Sequence, residues 1–104
     1  IPTMIFDEID SGISGITASI VGQKLAGMAG SRQIICITHL PQIAAFGDSH
    51  FMIQKRSDDE KTFTVILPLE ESERVHEIAR LLGGANITET TLKSARELIE
   101  ASKR

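Results

Sequence analysis

Two adjacent carboxylates, Asp7 and Glu8, follow the apolar run Thr3-Met4-Ile5-Phe6. An apolar strand that ends this way presents its last side chains at the carboxyl edge of a parallel sheet, where open α/β folds bind ligands. Consecutive strand side chains point to opposite faces, so Asp7 and Glu8 cannot share one task. One can hold the hydration shell of Mg²⁺ while the other reaches a water on the opposite side. Phosphoryl transfer uses this division, with a metal neutralising phosphate oxygens and a second group orienting the nucleophile. The pair also fits an ordinary strand end that runs into a solvated acidic loop, and taken alone it does not separate the two readings.

His39 closes the next apolar run, 31 residues beyond Glu8. If the two runs are neighbouring strands, His39 sits at the same edge as the carboxylates. A neutral imidazole there can donate to a γ-phosphate and accept from a backbone group. A lone histidine at a strand end is more often a surface residue, but two strand ends converging on polar residues are harder to dismiss.

Several elements must exist to place these groups. Asp10-Ser11-Gly12-Ile13-Ser14-Gly15 is small, polar and glycine-containing, and reads as a loop. Ile16, Ile20, Val21, Leu25 and Met28 then fall near helical spacing, with Ser14 or Thr17 as caps and an end near Gly30. Gln33-Ile34-Ile35-Cys36-Ile37-Thr38 is continuously apolar and β-branched, as a strand covered on both faces would be. Two such strands joined by a helix predict a parallel βαβ unit with a right-handed crossover. A short helix is expected from Pro41 to Phe46, stopping at Gly47.

The runs 50–56 and 62–67 flank Ser57-Asp58-Asp59-Glu60-Lys61 and predict a β-hairpin that Pro68 ends. Two helices close the chain. Val75, Ile78, Leu81 and Leu82 form a stripe after Ser72, stopped by Gly83-Gly84. Leu92, Ala95, Leu98 and Ile99 form another after Thr88. No internal repeat or low-complexity linker interrupts the pattern. The expected fold is α/β, with a short parallel sheet, a β-hairpin and two C-terminal helices in one lobe over 1–104.

Composition bounds the function. The 104 residues are 41% hydrophobic and 24% charged, with a net charge of −3. That supports one small domain and excludes a disordered acidic tail. No apolar run approaches the ~20 residues needed to span a bilayer as a helix. The single cysteine, Cys36, excludes an intramolecular disulfide framework and a multi-cysteine zinc site, and fits a reducing compartment. Mild acidity argues against a dedicated nucleic-acid surface. The chain opens directly on an apolar run, without an initiator Met or signal-like region, which reads as a piece of a longer protein.

The residues so far resemble a known family. Phe6-Asp7-Glu8-Ile9-Asp10-Ser11-Gly12-Ile13-Ser14-Gly15, Thr38-His39-Leu40-Pro41-Gln42-Ile43-Ala44 and Ala79-Arg80-Leu81-Leu82-Gly83-Gly84 are similar to the C-terminal head segment of the RecN family of bacterial DNA-repair proteins. These are SMC-like relatives of the ABC-type ATPases, whose heads belong to the P-loop NTPase class. The resemblance implies that Asp7 coordinates Mg²⁺ through water within a Walker B strand, that Glu8 polarises the attacking water, and that His39 is the switch histidine touching the γ-phosphate of ATP. It implies that Ser11, Gly12, Ser14 and Gly15 belong to a D-loop crossing a dimer interface beside the partner's nucleotide. Ser14 stands where such heads usually carry an Asp. The implied partners are the N-terminal lobe of the same head, a second head in an ATP-dependent dimer, and DNA through the full-length protein, with no membrane. The implied setting is the bacterial cytoplasm, in association with the nucleoid.

No Gly-x-x-x-x-Gly-Lys-Ser/Thr loop and no Leu-Ser-Gly-Gly-type signature occurs in the chain. The resemblance places both upstream, so the isolated chain is expected not to hydrolyse ATP at a useful rate. Other classes compete. An AAA+ motor shares Asp-Glu-Ile-Asp, as at 7–10, but wants an Asn at the end of the next strand. A helicase wants a Ser-Ala-Thr-like motif there. A non-catalytic interaction module could retain an inactive lobe of this kind.

Other residues read as structural. His50 and His76 have no partner pattern, and Cys36 reads as a core residue. Lys55-Arg56 is followed at once by acidic residues and reads as a solvated hairpin tip. Arg80 and Arg96 belong on polar helix faces, and Phe46, Phe51 and Phe63 in the core.

Overall fold

The computed structural model describes residues 2–7 and 12–103. Among these the elements run β1 (Thr3–Asp7), α1 (Gly15–Met28), β2 (Gln33–Ile37), α2 (Pro41–Ala44), β3 (Phe51–Ser57), β4 (Thr62–Pro68), α3 (Glu71–Gly83) and α4 (Glu89–Ala101). β1 and β2 pair in parallel, with Ile5 opposite Ile35 and Asp7 opposite Ile37. β3 and β4 form the expected antiparallel hairpin, with Phe51 opposite Pro68 and Ser57 opposite Thr62. The fold is the α/β arrangement expected, with parallel sheet, hairpin and two closing helices.

Local chemistry accounts for the helix starts. Ser14 caps α1, its hydroxyl accepting from the Thr17 amide at 3.3 Å. Thr88 caps α4, and the Thr91 hydroxyl reaches back to the Thr88 amide at 3.0 Å. The start of α3 differs from the expectation at Ser72. Glu70 is the cap, and the Glu73 carboxylate accepts from the Glu70 amide at 2.9 Å. The helix thus begins at Glu71, ahead of the Ser72 after which the apolar stripe was expected.

Among the described residues, two apolar clusters hold the fold together. Ala18, Leu25 and Ile43 are buried, with Phe6, Val21, Ile34, Cys36 and Leu40 packed on them. Ile78, Ala79, Ala95 and Ile99 form the second cluster with Ala45. α2 therefore contributes Ile43 to one cluster and, just past its end, Ala45 to the other. Close approach tightens both packings. A Cβ on Gly22 of α1 would lie 2.5 Å from the Phe46 ring, and one on Gly83 of α3 would lie 2.7 Å from a Thr91 methyl.

Two expectations about burial are corrected. Among the described residues, the β1–β2 sheet is covered on one face only. Met4, Phe6, Ile34 and Cys36 turn towards α1 and α2, whereas Ile5 is 67% exposed and Ile35 43%. Continuous hydrophobicity in five-residue strands says both faces are apolar, not that both are packed within these residues. Likewise Phe51 and Phe63 are exposed on the hairpin, and of the three phenylalanines expected in the core Phe46 alone is half-buried. The hairpin's outward row pairs Phe51 with Pro68 and Ile53 with Ile66.

Candidate functional site

Parallel pairing sets the carboxyl ends of β1 and β2 side by side. Asp7, the last residue of β1, lies opposite Ile37, the last residue of β2. His39 follows two residues later, in the bend that leads into α2. Thr38 holds that bend, because its Oγ1 accepts from the Leu40 amide at 3.0 Å. Asp7 and His39 thus belong to one rim of the sheet, and both are exposed. Along β1, exposed residues alternate with half-buried ones, which puts Asp7 on the same bare face as Thr3 and Ile5.

Residues 12–15 lead into α1. Gly12 has φ of +78°, a conformation an L side chain enters only with strain. Ser14 is committed to capping α1, and Gly15 opens the helix. A Cβ on Gly15 would lie 3.3 Å from Nε2 of Gln42, so the start of α1 abuts the short helix that follows His39. Glu8 and Ser11 fall outside the described residues, as do Ile9 and Asp10. Of the residues singled out in the sequence, Asp7 and His39 therefore lie at the carboxyl ends of the parallel pair, and Gly15 abuts Gln42 of the helix that follows His39.

An arrangement that the motifs did not indicate lies behind the rim. Arg74 of α3 is 8% exposed, and its Nη2 donates to the carbonyl oxygens of Ala44 at 3.2 Å and Ala45 at 2.9 Å. Glu77, one turn on, is also 8% exposed and holds the exposed Arg80 in a two-pronged ion pair, Nη2 to Oε2 at 3.1 Å. That hydrogen bond raises the Arg80 pKa above its ordinary value. His50 sits nearby, and burial lowers its pKa, with the Arg74 charge adding to the effect and Glu77 opposing it. One signal for Arg74 was legible. Arg74, Ile78 and Leu81 occupy positions i, i+4 and i+7, so Arg74 lies on the core stripe rather than the polar face. His76 is exposed, and its Nδ1 lies 3.1 Å from the Ser72 carbonyl oxygen.

Comparisons with known proteins bear on the fold and on what the chain is similar to. No protein-family model matches the chain. Among curated proteins it is 48% identical over 101 residues to the DNA repair protein RecN of Vibrio cholerae, covering 97% of this chain and 18% of that protein. It is 49% identical over 100 residues to RecN of Haemophilus influenzae and 40% identical over 100 residues to RecN of Bacillus subtilis. The similarity to RecN thus holds over nearly the whole chain, while the chain spans less than a fifth of the length of these relatives. Among solved structures it matches a chain described in work on ATP-driven dimerization and DNA-stimulated activation of SMC ATPases. The TM-score is 0.61 at 19% identity, over 83% of this chain and 51% of that one. The fold is that of part of an SMC-type ATPase. Among the described residues, no helix is long and apolar enough to cross a membrane.

Proposed function

We propose that this RecN-like segment is the C-terminal lobe of an ABC-type ATPase head acting in DNA double-strand-break repair and recombination, in the bacterial cytoplasm and associated with the nucleoid. The observation that carries the reading is the shared rim: Asp7 at the end of β1, opposite Ile37, with His39 two residues beyond in the next strand's exit bend. The RecN relatives at 40–49% identity support the DNA-repair setting. The pairing of an acidic strand end with a histidine favours this class over an AAA+ or helicase fragment.

The residues present suit a nucleotide-bound magnesium ion. Mg²⁺ keeps several waters and is usually held by one or two carboxylates together with substrate phosphates, and Asp7 offers one exposed carboxylate on the bare face of the sheet. The metal would supply neutralisation of charge on the phosphate oxygens of ATP. In this reading Asp7 holds the metal through water, and Glu8 accepts a hydrogen bond from the attacking water and orients it. His39 donates to a γ-phosphate oxygen. Ser11, Gly12, Ser14 and Gly15 form the D-loop against a second head. Ser14 caps α1 with its hydroxyl, so its backbone rather than its side chain is the part left to face a partner. The N-terminal lobe of the same head covers the bare face bearing Ile5 and Ile35 and brings the phosphate-binding loop. The isolated segment is therefore inactive, and DNA is engaged through the full-length protein.

Glu8→Gln in the full-length protein tests the assignment. Turnover should fall by about 10²–10⁴-fold, the usual worth of such a group, while ATP binding persists and the head dimer lives longer. Wild-type turnover in that variant refutes the role given to Glu8.

A further inference from the structure

The short helix after His39 cannot hold itself. α2 is a single turn of four residues, and its N-cap, Leu40, offers no side-chain hydrogen bond. One isolated turn fixes several backbone dihedrals for very few hydrogen bonds and is unstable alone. Its position must come from what it touches. Pro41 and Ile43 are buried, and the carbonyls of Ala44 and Ala45, at the end of the turn, both receive the Nη2 donor of Arg74. Carbonyls at a helix C-terminus have no partner within the helix, and a buried cation satisfies them with charge-assisted hydrogen bonds.

This contact reaches the rim through a short bonded path. The Leu40 carbonyl accepts from the Ile43 amide at 3.1 Å and the Ala44 amide at 3.0 Å. The Leu40 amide in turn donates to Thr38 Oγ1. His39 lies between the two residues of that last bond. From Ala45 back to Thr38 there is no break at which α2 could shift without dragging the bend.

We infer that Arg74 is a positioning residue for His39: by clamping the C-terminal carbonyls of α2 it fixes the bend that aims the imidazole at the rim. The inference rests on the reading of His39 as the γ-phosphate contact. Arg74 itself lies on α3 and acts through its bonds to α2.

The test is a double-mutant cycle in the full-length protein. Arg74→Lys keeps the charge but loses the planar fork, and Arg74→Met removes every donor. Each should lower kcat for ATP hydrolysis by up to about 10²-fold, the cost that small misplacement of a reacting group can bring, with nucleotide affinity little changed. In a His39→Ala background the same Arg74 substitutions should cost nothing further. Losses that add in the double variants would mean that Arg74 acts through general stability, and would overturn the inference. So would wild-type kcat in both Arg74 variants beside a slow His39→Ala protein. A fully active His39→Ala protein would remove the histidine from the site and take the inference with it. If Arg74→Met fails to fold, Arg74→Lys carries the cycle.

Discussion

The α3–α4 pair and the β1–β2 sheet are both built around branched apolar side chains, yet they dispose of them differently. In the helical pair, Ile78 is fully buried and Ile99 is 5% exposed. In the sheet, Ile5 and Ile35 stand in solvent while Phe6 and Cys36, their neighbours in sequence, pack inward. Both helices have one apolar stripe, and each stripe satisfies the other. Each strand has two apolar faces, and only one is met by α1 and α2. The surplus face also bears Asp7. A surface that is apolar in its middle and acidic at its rim suits contact with further protein along the sheet and with a charged ligand at its edge.

The largest effect that would break this contrast comes from truncating each region's isoleucine. Ile78→Ala should destabilise by about 2–5 kcal/mol, the range for deleting a buried branched side chain. Ile5→Ala should stay within about 0.5 kcal/mol in the same 104-residue chain. Denaturant unfolding midpoints would measure both, and equal losses would show that the sheet's outer face is covered. Repeating Ile5→Ala in the full-length protein sharpens the comparison, since the proposed lobe–lobe contact requires a greater loss there.

Glycines of α1 probe the packed side of the sheet. Gly22→Ala would drive a methyl against Phe46 and within 3.1 Å of the Gln42 carbonyl oxygen. A loss of about 1–3 kcal/mol is expected from such overpacking. Gly27→Ala meets nothing within 4 Å, and should gain about 0.5–1 kcal/mol through helix propensity. Thermal unfolding of the two variants would separate them, and matching shifts would contradict the close α1–α2 fit.

A smaller effect concerns acid stability on the helical side. The His50 pKa is lowered by burial and by Arg74. The unfolded chain therefore binds a proton more readily, and the stabilising contribution is complete above about 6.5 and lost as pH falls from there towards the folded value. His50→Gln should flatten the acid slope of the unfolding midpoint below about pH 6.5, and an unchanged slope would assign it to other groups.

The smallest effect lies in the hairpin loop, away from both regions. Asp58 Oδ1 accepts from the amides of Glu60 at 2.9 Å and Lys61 at 2.8 Å, and these bonds lower its pKa. Asp58→Ala should lower the unfolding midpoint slightly at neutral pH. The difference should vanish as acid protonates the carboxyl, and a gap that persists at low pH would point to a backbone cause.

Much of the fold was legible because the periodicities were clean. The βαβ unit came from two apolar runs around a helical stripe, and the hairpin from two β-rich runs around a polar five-residue loop. Ser14 was one of two hydroxyls, with Thr17, that the sequence offered as the cap of α1, and the structure uses Ser14. The exposed sheet face was not, because isoleucine looks the same whether or not something covers it. Of the candidate site, the sequence placed Asp7 and His39 at strand ends. The inward turn of Arg74 was masked by its charge and went unread, although its spacing from Ile78 carries the signal. Its bond to Ala44 and Ala45 spans some thirty positions, a separation that helical periodicity does not report.

The division of labour within α2 has a consequence for how RecN-like chains can vary in length. Ile43 and Ala45 feed separate clusters from within a single turn. Each residue added to a helix rotates the downstream side chains by about 100°. One amino acid inserted at 42–44 would swing Ala45 away from Ile78 or Ile43 away from Ala18, so this stretch should resist insertion and deletion even where its side chains tolerate exchange.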